Sequence, residues 1–220
     1  MRIVFHLAFN SKAQADKVGL LRKIILQSKL PFAPARQNPR MPRLAYGPSV
    51  KQGLFAQREY ADIYLLERCS TQEVRSRLED SKPAEVTILE VKRVPYAMAG
   101  VQQLAGVAQY RVKGDFTAHG PKQSIENYVS SPRMETAFEA PNGMRISKDI
   151  KPFVRSAHSL GPEEVELYLN RVGEKWISPL EVIYAWLGIQ SPALQETDER
   201  FTIIRQGLYW QDSQGNLHLI

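Results

Sequence analysis

The stretch Ile3-Val4-Phe5-His6-Leu7-Ala8-Phe9 decides how the first half of the chain is read. Ile3, Phe5, Leu7 and Phe9 recur at every second residue, the period of a β-strand with one strongly apolar face; Arg2, Val4, His6 and Ala8 take the other side. Beyond a connection over 10–15 the period lengthens. Between Asp16 and Lys29, Val18, Leu21, Ile25 and Ser28 fall on one helical stripe, with Lys17, Arg22, Lys23 and Lys29 largely elsewhere. Pro31 and Pro34 stop that helix. Five prolines (31, 34, 39, 42, 48) and Gly47 keep 31–48 extended or looped, with room for a short edge strand over Arg43–Tyr46. A strand follows over 60–66, with Ala61, Ile63 and Leu65 on one face. Ser70 and Glu73 form a capping-box pattern that predicts a helix to about Asp80, and Val86–Val94 is a further strand. The order strand, helix, strand, strand, helix, strand is the split βαβ, or ferredoxin-like, order. Two helices would cover one sheet face and leave the other for a partner or a second domain.

The second half reads as another mixed unit. Val107–Lys113 is a strand, and Pro121 is expected to open a helix through Val129. Strands over 134–140 and 144–147 flank Pro141-Asn142-Gly143, a hairpin signal. A second hairpin spans 153–159 and 164–169 around Gly161-Pro162. Ser178-Pro179-Leu180-Glu181 carries a cap, a first-turn proline and a capping-box Glu, and Gly188 stops that helix. A strand over 201–206 and a turn over 212–215 follow. The expected fold is α+β: two ferredoxin-like βαββαβ units in tandem, the second decorated with an extra hairpin. The expected domains are a basic one over 1–95, a linker over 96–106 and a second over 107–220.

Composition narrows the function. Of 220 residues, 43% are hydrophobic and 24% charged, which excludes wholesale disorder. No run of about 18 apolar residues can make a membrane-spanning helix. The start lacks the apolar stretch and cleavage site of a signal peptide. The lone Cys69 can form neither an internal disulfide nor an iron–sulfur cluster, so a reduced, cytoplasmic protein without a cofactor is expected. The net charge of +6 is uneven: eleven bases and two acids, Asp16 and Glu59, lie in residues 1–60. From Lys17 to Arg58 there are nine bases and no acid. Such asymmetry points to a polyanionic partner, above all nucleic acid, against a merely soluble basic surface.

Leu30-Pro31, Asn38-Pro39-Arg40, Pro42-Arg43, Tyr46-Gly47-Pro48, Gly53 and Glu59-Tyr60-Ala61-Asp62-Ile63 stand in one order. Asp149-Ile150-Lys151-Pro152-Phe153 and Ser178-Pro179-Leu180-Glu181-Val182 follow. Together they resemble the bacterial radical-SAM-linked domain of unknown function, over nearly the whole chain. The family's Ser-His on the first helix falls here on Ala13 and Gln14, although Asp16 matches, and one residue is inserted near Met41. The resemblance implies an accessory role beside a radical-SAM protein with a cobalamin-binding region; it implies no established activity.

The densest polar cluster is Arg36, Gln37, Asn38, Arg40 and Arg43 on the proline-stiffened stretch. Arginine forks match phosphate oxygens, and a stiff loop loses little entropy on binding. Tyr46, Phe32 and Phe55 offer rings for unpaired bases. Lys51 lies between Gly47 and Gly53, but the spacing is not that of a phosphate-binding loop, and a turn is the plainer reading. His6, His119, His158 and His218 are scattered without metal-ligand spacing, so no metal is expected. Asp16, His6 and Asp62 are the weak catalytic candidates, His6 facing an open sheet surface as acid or base and Asp16 or Asp62 as a catalytic acid; a helix cap for Asp16 and an outward strand position for Asp62 are the plainer roles. Cys69 reads as a buried structural thiol, and Glu163, Glu164 and Glu166 as a solvated strand edge. Three functions compete. The favoured one is a non-catalytic RNA-binding adaptor that presents RNA to a radical-SAM partner. The others are an RNA-processing or RNA-modifying enzyme, and a module whose basic half binds an acidic partner surface.

Overall fold

The computed structural model describes residues 3–11, 17–48, 50, 54–139, 145–189 and 198–220. In chain order the elements begin β1 (Ile3–Ser11), α1 (Lys17–Gln27), β2 (Leu44–Tyr46), β3 (Phe55–Ala56), β4 (Glu59–Leu65), α2 (Thr71–Ser81), β5 (Val86–Val94) and α3 (Val101–Leu104). They continue with β6 (Val107–Lys113), α4 (Ile125–Ser130), β7 (Glu135–Glu139), β8 (Arg145–Asp149), β9 (Val154–Gly161), β10 (Glu164–Asn170), α5 (Pro179–Leu187), β11 (Thr202–Gln211) and β12 (Leu217–Leu219). The protein is thus mixed α+β, with three sheets and five α-helices among the described residues. It divides into two compact units, one of Met1–Ser49, Ala56–Ala105 and Ile220, the other of Val50–Phe55 and Gly106–Leu219. Among the described residues no helix is long and apolar enough to cross a membrane.

In the first unit the sheet order is β2-β4-β1-β5, antiparallel throughout. The period-2 pattern sends Phe5, Leu7 and Phe9, with Ala61, Ile63, Leu65, Val86, Ile88 and Val91, into one core. Leu21, Ile24 and Ile25 of α1 and Val74 and Leu78 of α2 close it. The α1 stripe differs from expectation at its start: Val18, in the first turn, is 38% exposed, and Ile24 takes its place. At α2 the Ser70 Oγ accepts the Glu73 N–H at 3.0 Å, while the Glu73 carboxylate turns to Arg77 at 2.8 Å. Cys69 is buried beside this cap, and burial pushes its thiol pKa up, as befits a structural thiol.

The second face of this sheet, expected to be left for a partner or a second domain, is not open, so His6 does not face an open surface. Val4, His6, Ala8, Tyr60 and Asp62 are all buried. The stretch read as a linker, 96–106, contains α3, whose Val101 is fully buried and donates its backbone N–H to Asp62 Oδ2 at 3.0 Å. Gly47 permits this approach, because a Cβ there would stand 2.9 Å from Val101 Cγ1.

In the second unit the sheet order is β12-β11-β6-β10-β9. Val112, Val165, Leu167, Leu169 and Ile203 are buried along it, as are Leu180, Val182 and Ile183 of α5. Helix α5 starts at Pro179 and stops at Gly188, which is left-handed with φ 68. Helix α4 begins later than expected. Ser124 is its cap, accepting the Asn127 N–H at 3.3 Å, and Pro121 lies before it. β10 is an interior strand between β6 and β9, so Glu164 and Glu166 are not a solvated edge. Glu166 accepts from Gln109 at 2.6 Å, and Glu164 lies 3.4 Å from Arg111 Nε. The β7–β8 hairpin forms as expected; its turn residues 141–143 lie outside the described residues. β12 was not expected. Asp212 accepts the backbone N–H groups of Gln214 and Asn216 and turns the chain back onto β11.

Candidate functional site

Residues 31–43 form a pinned arch. At its foot Leu66 N donates to Pro31 O (2.8 Å), Ala33 N to Tyr64 O (2.7 Å) and Arg43 N to Ala33 O (2.7 Å). Halfway up, Ala35 N donates to Met41 O at 2.9 Å. At the tip, Asn38-Pro39-Arg40-Met41 is a β-turn closed by Met41 N to Asn38 O at 2.9 Å. Asn at the first turn position and Pro at the second are the residues such a turn favours, and Asn38 Oδ1 also accepts the Arg40 N–H at 3.1 Å. The prolines sit where they remove donors the arch does not need. Phe32 packs on the unit's core and Ala33 is buried, so the foot is anchored.

The tip itself is wet. Arg36, Gln37, Asn38, Pro39, Arg40 and Met41 are exposed. Arg36 and Arg40 make no ion pair among the described residues. Elsewhere in the basic segment charge is partly neutralised: Lys17 pairs with Glu59 at 2.6 Å and Arg58 with Glu90 at 3.6 Å. Arg22, Lys23 and Lys29 are exposed on or just after α1. An exposed tip bearing Arg36 and Arg40, on an arch closed by backbone hydrogen bonds, is therefore what the unit presents to solvent.

The other predicted residues separate into different roles. Arg43 does not reach the tip; its guanidinium lies 4.2 Å over the Tyr64 ring. Tyr46 is not a free stacking ring, because its hydroxyl donates to Val18 O at 3.0 Å and its body packs on the core. Lys51 and Asp16 lie outside the described residues. His6 and Asp62 face each other across the β1–β4 register, with Nδ1 and Oδ1 3.6 Å apart, an ion-pair distance but not a hydrogen bond.

Burial dominates this pair. The outward position expected for Asp62 is wrong in depth: the side chain is fully buried, because α3 lies over it. Among the described residues its Oδ1 has no hydrogen-bond partner. Desolvation raises its pKa to about 6, opposed by the Val101 N–H. Desolvation, with Lys92 across the β1–β5 register, lowers that of His6. Burial raises the Tyr64 pKa, with Asp62 adding to the rise and Arg43 opposing it. So Tyr64 links the arch foot to the buried pair.

Tyr64 and the Gly100-Val101 backbone escaped the sequence reading. Tyr64 carried a usable signal, two residues from Asp62 on the same strand face. Gly100-Val101 carried none, being remote in sequence. Among the described residues no group of three or more His, Cys, Asp or Glu stands close enough to hold a metal ion. A family model described as "Uncharacterized protein conserved in bacteria (DUF2344)" matches residues 13–179. No curated protein matches the chain.

Proposed function

The chain belongs to that bacterial family of uncharacterised conserved proteins, and on that premise we propose that it is a non-catalytic adaptor binding single-stranded RNA at the arch. The observation that carries this reading is the exposed tip bearing Arg36 and Arg40, without an ion-pair partner among the described residues and held by backbone hydrogen bonds. A preformed pair of guanidinium forks suits phosphate oxygens and loses little freedom on binding. The burial of His6 and Asp62 supports an adaptor over an enzyme, since an acid or base must reach its substrate. The radical-SAM partner, to which the RNA would be presented, rests on the sequence resemblance alone.

We also read both units as split βαβ folds. In the first, the order β2-β4-β1-β5 places the first strand between the third and fourth of the motif. In the second, β9-β10-β6-β11 has the same order, with β12 added at the edge and the β7–β8 hairpin inserted. Such units serve many functions, so the arch and not the fold supports RNA.

Ultraviolet cross-linking of the chain in its host cells, followed by mass spectrometry of nucleotide-bearing peptides, tests the proposal. Adducts should concentrate in residues 31–44. Their absence there, or a chain free of RNA, would refute it.

A further inference from the structure

We propose that the arch tip reads guanine in single-stranded RNA through its O6/N7 edge; this rests on the RNA-binding reading above. Base edges differ in the order of their donors and acceptors, and an unpaired base leaves those edges open. Guanine sets two acceptors, O6 and N7, side by side. Adenine sets an amine beside N7, and uracil an N–H beside each carbonyl. Cytosine's N3 and O2 also adjoin, but O2 lies beside the ribose, which crowds a planar fork. The tip is built mainly of donors. Arg36 and Arg40 are exposed, make no ion pair among the described residues and have no acceptor at all. Their planar forks match two adjacent acceptors, the bidentate contact by which arginine reads guanine in DNA. Asn38 turns its side-chain oxygen onto the Arg40 N–H at 3.1 Å and presents its amide N–H₂. The oxygen with which an asparagine pairs with adenine is thereby directed to the backbone. The tip also offers what a phosphate does not use. Pro39 and Met41 are exposed on the same turn, Met41 by 37%, and a thioether packs well against the flat face of a base. Gln37 is the rival reader: it is exposed, and its amide has both the acceptor and the donor that adenine takes. Its bonds are neutral, whereas those of a guanidinium are charge-assisted and about twice as strong. Reading a base does not release the backbone, because the guanidinium has donors left for a flanking phosphate.

The test is fluorescence anisotropy with labelled RNA of about 12 nucleotides repeating UUG, UUA or UUC, in low lithium salt, which does not support guanine quartets. The UUG repeat should bind about threefold or more tighter than the other two. Replacing its guanine by 7-deazaguanine, which lacks the N7 acceptor, should remove most of that preference; inosine, which keeps O6 and N7, should retain it. Arg36→Lys/Arg40→Lys keeps the charge and loses the fork, so it should hold the salt dependence of wild type and lose most of the preference. A smaller preference in wild type would overturn the guanine reading while leaving RNA binding intact. So would a preference that survives 7-deazaguanine, fails with inosine or stands undiminished in the lysine variant. A UUA preference that Gln37→Ala abolishes would overturn it too and assign base reading to Gln37. Binding to none of the three repeats would overturn the RNA reading itself.

Discussion

Replacing Asp62 by Asn should stabilise the first unit above neutral pH. The carboxyl is fully buried, one oxygen has no hydrogen bond among the described residues, and its pKa is raised from 3.8 to about 6. The folded state therefore holds this proton more tightly than the unfolded chain. Its contribution is fully present below about pH 4 and is lost as pH rises through about 6. A shift of about two units corresponds to about 3 kcal/mol, the cost of keeping the charge inside the fold. His6 runs the other way: its lowered pKa makes the fold lose stability as pH falls below 6.5. Asparagine keeps an acceptor for the Val101 N–H and never ionises. The variant should match wild type near pH 4 and exceed it by about 1–3 kcal/mol at pH 8, a midpoint shift of about 1–2 M urea. The assay is urea unfolding followed by circular dichroism. Tryptophan fluorescence is the internal control, because Trp176, Trp186 and Trp210 all belong to the second unit and should report no change. An equal shift at both pH values, or a loss of stability at pH 8, would refute the reasoning.

Gly100→Ala should destabilise the first unit by about 1–2 kcal/mol, because its Cβ would stand 2.9 Å from Asp62 Oδ2 against a packed face; differential unfolding by circular dichroism reads it, and an unchanged midpoint would contradict the close approach. Cys69, buried and with its thiol pKa raised, should react with a thiol reagent many-fold more slowly in buffer than in urea. Equal rates would place it at the surface.

Most elements were legible because their signals are local. The alternation at 3–9, the Ser70/Glu73 cap and the Ser178-Pro179 helix start each specify an element within a few residues, and those elements formed. The arch was legible as a proline-stiffened basic loop, but not as a hairpin-like arch with a wet tip, since the bonds of Ala33 to Tyr64 and of Leu66 to Pro31 join distant residues. Asp62 misled for the same reason. On its own strand it alternates with Ala61 and Ile63 and so reads as outward; α3, nearly forty residues on, buries it. Glu164 and Glu166 alternate in the same way, yet whether a strand is an edge depends on its neighbours, which no local pattern reveals. At α4, Pro121 drew the helix start forward of the true cap, Ser124.

The central claim is that an exposed arginine arch binds RNA by charge. The salt dependence of binding tests it most directly. Each phosphate contact on a single strand contributes about −0.7 to the slope of log affinity against log salt. Four to five contacts, from Arg36, Arg40 and the exposed cations of α1, give a slope of about −3. Arg36→Ala/Arg40→Ala should flatten it by about 1.4, whereas Arg43→Ala, whose guanidinium is held on Tyr64, should change it by much less. An unaltered slope in the double variant, or no binding below about 10 μM for wild type at low salt, would contradict the account.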